Sequence, residues 1–454
     1  MESGTITRNI FGLSRKEAEE ISFRATERDY SIITAKEAKL IGKKTGKKFD
    51  EFNPDKDTVT SSTEVVKIKI VTALDKGSAN DGRGINLQDG LVFGKSYTFE
   101  VVSYTNKTPA DLSMIKWVLK YHCLKDNSWK EWKVSATGSR ITIKMGNKDI
   151  CGRFLHVKAY INSKESVQFE KFWHHNRFRY FDSKKAYGEL TERIDNKKPW
   201  KINQSGTSLC GMACIFYAFA KNQPAAYKKF AKELFRTGEA TCNSYTAKPS
   251  IELLEKKVNT RGFPMNTSDM PLIDYVTMAG TRNTDSPSYK GGDEEFQAIN
   301  WPWVMSNLVK KLLGYSNVIE KGTRNFIHAT TGLINVEDKL NELEKYHNEG
   351  YTVVLMIDAD LINNVWDFKS VDYHWIVYEG GLQIAQPNYR IKKYFEDLIM
   401  FDVYTWGTNP KDKRKQVMNA KKGIMEANPD AGYLKSNISI NHFNKNFYGY
   451  LIFK

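Results

Sequence analysis

NQSGTSLCGMACIFYAF, residues 203–219, sets a glutamine six positions ahead of a cysteine that opens an apolar run. Ser208 or Thr207 is placed to cap a helix whose first turn holds Cys210, and Ala213, Cys214, Phe216, Tyr217 and Ala220 give that helix an inner face. A cysteine there lies at the positive end of the helix, where unpaired N–H groups and the macrodipole favour thiolate over thiol. Gln204, on the incoming loop, puts a side-chain amide beside the backbone N–H of Cys210. Two donors aimed at one point are the construction of an oxyanion hole. Cys210 is therefore read as a nucleophile, and Cys214, one turn further in, as a core residue.

The helix belongs to a region, residues 186–454, in which helical periodicity comes first and strands come after. CGMACIFYAFAK, AAYKKFAKELFRTG, SIELLEKKV, WPWVMSNLVKKLLGY and VEDKLNELEKYHNEG carry apolar residues at three and four spacing. YTVVLMID (351–358), YHWIVYEGGLQIAQ (373–386), LIMFDVYTWG (398–407) and the terminal FYGYLIF read as strands. The pattern predicts a helical lobe packed against an antiparallel sheet, an α+β domain. Residues 61–182 are of a different texture. Short alternating runs such as EVVKIKIVTAL, SYTFEVVSYT, MIKWVLKYHCL, SRITIKM and RFLHVKAYIN, separated by turn residues, predict an all-β, immunoglobulin-like sandwich with Trp117 in its core. A basic, aromatic stretch, EKFWHHNRFRYFDSKK (170–185), joins the two, and residues 1–60 form a polar leader. The chain is thus expected to be multidomain.

Composition narrows the function. The five cysteines are odd in number and lack paired CxxC spacing, so neither a disulfide frame nor a zinc cage is expected, and no cofactor is called for. The net charge of +15 suits a polyanion, but the lysines are scattered, and the densest run, KDKRK (411–415), has no interleaved aromatics. The charge is read as solvated surface, with no nucleic-acid partner. No stretch approaches the ~18 uninterrupted apolar residues of a membrane span, and the start has no signal-peptide core.

Gln204 and the Cys210-Gly211 pair resemble the site of the papain-like cysteine peptidases, in the broad sense that includes the bacteriocin-processing peptidases of bacterial exporters and several effector toxins. The resemblance covers roughly residues 190–454. It implies a histidine base on a later strand. Of eight histidines, His374 stands out, since it opens HWIVYEGG after the helices; His328 and His442 stay open. His122 and His156 belong to the sandwich, His174 and His175 to the connecting stretch, and His347 to the polar face of a helix. For the third member, a three-residue turn at Glu379, Gly380 and Gly381 would make Gln386 the mirror of His374, able to accept its Nδ1 proton. The family uses Asn or Asp there, so Asn388 and Asp402 are alternatives, and Trp406 would help keep water out. The resemblance implies a cysteine peptidase-like hydrolase or thiol acyl-transfer enzyme acting on a protein or peptide substrate. By likeness of architecture it also implies a bacterial antagonistic toxin, made in the cytoplasm and exported by a contact-dependent, type VI-like machine, with a secretion component and a cognate immunity protein as partners. A catalytically dead adaptor is the other reading, with the unusual Gln386 as its hint.

Overall fold

The computed structural model describes residues 63–165, 167–292, 298–322, 336–359, 361, 373–385, 398–405, 424–428 and 433–454. The leader expected at 1–60 lies outside them. Ser62–Lys454 forms one compact unit.

The first part of this unit is two antiparallel sheets enclosing one core. Strands β1 (Val65–Ile70), β4 (Ser96–Tyr104) and β7 (Arg140–Lys144) make one sheet. The other is ordered β6 (Ser128–Thr137), β5 (Lys116–Cys123), β8 (Arg153–Tyr160) and β9 (Glu170–His174). A small hairpin, β2 (Asp75–Ser78) with β3 (Leu87–Gly90), lies between β1 and β4 in the chain. Period-two alternation sends Tyr97, Phe99, Trp117, Leu119, Leu155 and Val157 into the shared core. Trp117 is 2% exposed, and its Nε1 donates to Gly138 O at 2.8 Å. EKFWH, expected to begin a connecting stretch, is instead β9, paired along β8.

A second core begins at Phe178 and Phe181, inside the span assigned from the sequence to the sandwich. Helix α1 (Ser183–Ile194) starts at Asp182, whose Oδ1 accepts from Lys185 N at 3.0 Å while its Oδ2 accepts from Gly82 N at 2.8 Å. The cap of α1 therefore also ties the helix to the loop between β2 and β3. Helix α2 (Cys210–Asn222) and helix α3 (Pro224–Thr237) come next. Every residue of α2 from Cys210 to Ala220 is buried, which makes it the axis of this core rather than a one-faced helix. Around it lie the short hairpin β10 (Ala240–Cys242) and β11 (Tyr245–Ala247) and helical turns at Ile251–Leu254, Leu272–Asp274 and Gly280–Asp285. Helix α4 (Pro302–Lys311) then packs against α2.

The large antiparallel sheet has eight strands. Its order is β12 (Val318–Lys321), β19 (Phe447–Phe453), β13 (Thr352–Asp358), β14 (Tyr373–Tyr378), β16 (Leu398–Tyr404), β18 (Tyr433–Ser439) and β17 (Ile424–Asn428), with β15 (Gln383–Ala385) also on β16. One face, through Val354, Met356, Trp375, Val377 and Tyr404, joins the core around α2. The other, through Val353, Leu355, Ile357, Ile376 and Phe401, is covered by helix α5 (Val336–Asn348) and by Phe443 of helix α6 (Ile440–Asn446).

The tight hairpin expected at Glu379–Gly381 is not formed. Val377 pairs with Tyr404 and Gln383 with Met400, so β15 continues in the direction of β14 along the same neighbour, β16. Two extra residues bulge out between them. Gly380 (φ 81°) and Gly381 (φ 72°) supply the left-handed backbone that a bulge needs, and hydrogen bonds Glu379 N to Asp402 O and Asp402 N to Gly380 O, each 2.8 Å, close it.

Candidate active site

The loop ahead of α2 is fixed from below by a buried ion pair. Arg193 of α1 donates Nε to Asp274 Oδ1 at 2.9 Å, and Asp274 Oδ2 also accepts from Asn203 N at 2.9 Å. Both charged side chains are at most 3% exposed. Tyr404 of β16 adds a second anchor: its OH donates to Ile202 O at 2.7 Å, and its ring stacks on Tyr217 of α2 at 3.9 Å. Asn203 Oδ1 then accepts from Ser205 N at 2.7 Å, which turns the chain through the positive φ of Ser205 (55°) toward the helix.

Gln204 is 4% exposed. Its Nε2 donates to Thr207 O, while Oε1 has no partner among the described residues. One of the two Nε2 hydrogens is thus engaged within the loop and the other is available. The expected cap is absent: Leu209 occupies the capping position without a side-chain bond, and Thr207 Oγ1 instead donates to Gln204 O at 2.8 Å. The backbone N–H groups of Trp375, Gly211 and Cys210 itself lie near its sulfur and favour the thiolate. Burial outweighs them and pushes the thiol up to about 11. The position at a helix N-terminus therefore does not by itself produce a thiolate, contrary to the expectation from sequence, because Cys210 is only 4% exposed. Cys214 is fully buried, and its thiol is pushed up further by burial and by Cys210.

The Trp375 N–H brings the peptide that follows His374 close to Cys210. The ring of His374 takes another direction. Across the sheet His374 pairs with Ile357 and Trp375 with Met356, so alternation puts Trp375 on the face of α2 and His374 on the face of α5. There His374 Nε2 lies 3.4 Å from Thr405 Oγ1, and burial pushes the imidazole down to about 3. The arrangement therefore has the thiol and the backbone of the histidine together, with both side chains uncharged at neutral pH.

Gln386, Asn388, Trp406 and His328 lie outside the described residues, as does the side chain of His442. The mirror relation that singled out Gln386 falls with the hairpin. Asp402 hydrogen-bonds through its backbone with Glu379 and Gly380. That is five residues along the strand from His374, roughly 16 Å at the rise of a β-strand, too far to orient the ring.

Two residues of this end of the molecule carry no local sequence signal. Asn300 is 1% exposed and lies against Gly211. Asp358, 4% exposed, ends β13 opposite Tyr373, on the α2 face of the sheet, and accepts from Tyr448 OH at 3.1 Å. Among the described residues no group of side chains has the makings of a metal site, and no helix is long and apolar enough to cross a membrane. No protein-family model matches the chain, and neither does any curated protein.

Proposed function

We propose that this chain is a cysteine-dependent hydrolase or acyl-transfer enzyme of papain-like design, with Cys210 as nucleophile, His374 as its base and Gln204 as an oxyanion donor. The observation that carries the reading is the sulfur of Cys210 at the start of a buried helix, with the backbone N–H groups of Trp375, Gly211 and Cys210 near it. Donors around a nucleophile can equally receive the oxyanion that forms when it attacks a carbonyl. In the described arrangement the thiol is at rest: reaction needs the imidazole to leave Thr405, come round to the α2 face at the start of β14 and take the proton of Sγ, since neutral imidazole is the form that accepts it. The sandwich is read as an immunoglobulin-like spacer or binding module. Its support is the order β1-β4-β7 against β6-β5-β8-β9, in which the chain crosses repeatedly between the two sheets. A role as an antagonistic bacterial toxin with an immunity partner rests on likeness of architecture alone.

The test is a proteome-wide search for new N-termini in a bacterial lysate incubated with wild-type protein or with Cys210→Ala. Cleavages made by the first and absent with the second are expected. Their absence, together with a Cys210 that resists alkylation up to pH 9, would sink the reading. In that event the second reading, a binding protein on a papain-like scaffold, takes over. The specific observation in its favour is the placement of His374 across the sheet from Cys210.

A further inference from the structure

Beside Gly211 lies a polar group without a partner among the described residues. There the carboxamide of Asn300 has neither Nδ2 nor Oδ1 hydrogen-bonded, although the residue is 1% exposed. Burying such a group unsatisfied is costly, so each one in a folded protein calls for an explanation, such as strain, a catalytic role or a bound water or ion. Its placement is tightly held. The backbone O of Asn300 accepts from Trp375 Nε1 at 3.0 Å, the same residue whose backbone N–H lies near Cys210 Sγ. A Cβ on Gly211 would come within 2.5 Å of Asn300 Cβ, so only glycine after the cysteine lets this side chain reach the start of α2. Gln204 Oε1, on the loop entering the same helix, is likewise buried and has no partner among the described residues.

We propose that Asn300 is the group that recognises an amide at this site, making the substrate a peptide or carboxamide rather than an ester. A side-chain carboxamide offers a donor and an acceptor side by side. One residue of an extended peptide presents its own N–H and C=O in the same way along one edge, as does a primary carboxamide. An ester has no N–H and leaves Oδ1 buried and unpaired, which is the kind of mismatch that discriminates strongly. The assignment rests on Cys210 being the nucleophile, and Asn300 acts in it as a specificity-determining residue.

The test compares iodoacetamide with methyl iodoacetate at pH 9 on the full chain, reading alkylation at each cysteine by mass spectrometry. Half-exposed Cys242 serves as the internal reference for the intrinsic reactivity of the two reagents. At Cys210 the amide should be preferred by about five- to tenfold over that reference, the scale of one or two neutral hydrogen bonds. In Asn300→Leu the preference should vanish while Tm stays level or rises, because an unpaired polar group has been replaced by an apolar one of similar shape. Alkylation of Cys210 without amide preference overturns this assignment and leaves the nucleophile standing. A drop in Tm in Asn300→Leu also overturns it, since the amide would then be structural. A Cys210 inert to both reagents, with Cys242 reactive, overturns the nucleophile reading and this one with it.

Discussion

Alternation along β14 sets the face on which His374 lies, and Thr405 Oγ1 stands 3.4 Å from its Nε2, which makes Thr405 an informative single position for the chemistry. With its thiol pushed up to about 11, Cys210 is ionised to roughly one part in ten thousand at pH 7. Its alkylation by iodoacetamide should therefore climb about tenfold per pH unit between 7 and 9 without reaching a plateau, as thiolate is the reacting form. Thr405→Val removes the hydroxyl beside His374 Nε2 and should raise the rate at pH 7.5 severalfold, with a flatter pH profile, as the ring becomes able to take the Sγ proton. An unchanged profile means that Thr405 does not restrain the ring. A second change at this scale is Gly380→Ala. The backbone there is left-handed, and a Cβ would come 2.6 Å from the ring of His347, so a loss of about 1–2 kcal/mol from backbone strain is expected before the clash is counted. Urea denaturation of the variant measures it.

Among the elements, the loop entering α2 depends on a charge pair that no local pattern announces. Asp274→Ala would strip the buried Arg193 of the carboxylate it pairs with, leaving it the carbonyls of Glu189 and Lys201, and free the N–H of Asn203, and should cost about 3–5 kcal/mol of stability. It should also slow any Cys210-dependent reaction, because Gln204 is held by the same loop. Loss of stability with undiminished activity would separate the two. Much of the element order is legible in the sequence: α2, α3, α5, β13, β14, β16 and β19 fall where three-four and two-residue periodicities predict them. The turn at Glu379–Gly381 is not. Two glycines after a strand suit a hairpin and a bulge equally well, and the choice is made by β16, a strand whose pairing the local residues do not specify. A misjudged bulge also misplaces every side chain beyond it, which is why the third site residue is unreadable from the chain alone. The capping of α2 is hidden for a similar reason, since Thr207 commits its hydroxyl to Gln204 O.

At the scale of the whole molecule the two cores divide the chain earlier than composition suggests. Phe178 and Phe181 pack with Phe235 and Tyr275 of the second core, so a fragment beginning at residue 186 lacks two of its fully buried rings and the cap of α1. A fragment from residue 176 should be soluble and show a cooperative thermal transition, whereas one from 186 should aggregate; size-exclusion chromatography tells them apart. Equal behaviour would mean that these rings are dispensable. The alternation that marks the sandwich is visible because each strand is short and broken by Gly, Asn or Asp, whereas Asn300 is silent: nothing near it in the chain marks an amide whose neighbours, Gly211 and Trp375, are some 90 and 75 residues away. Trp375 itself has an optical consequence. Its indole is almost wholly buried, hydrogen-bonded to the backbone of Asn300, while its backbone N–H lies near the Cys210 sulfur. A buried indole emits toward the blue, and a nearby thiolate quenches it, so acylation or oxidation of Cys210 should change the emission of this one tryptophan. A variant keeping Trp375 as its sole fluorophore of this kind would show turnover as light, with no chromogenic substrate required.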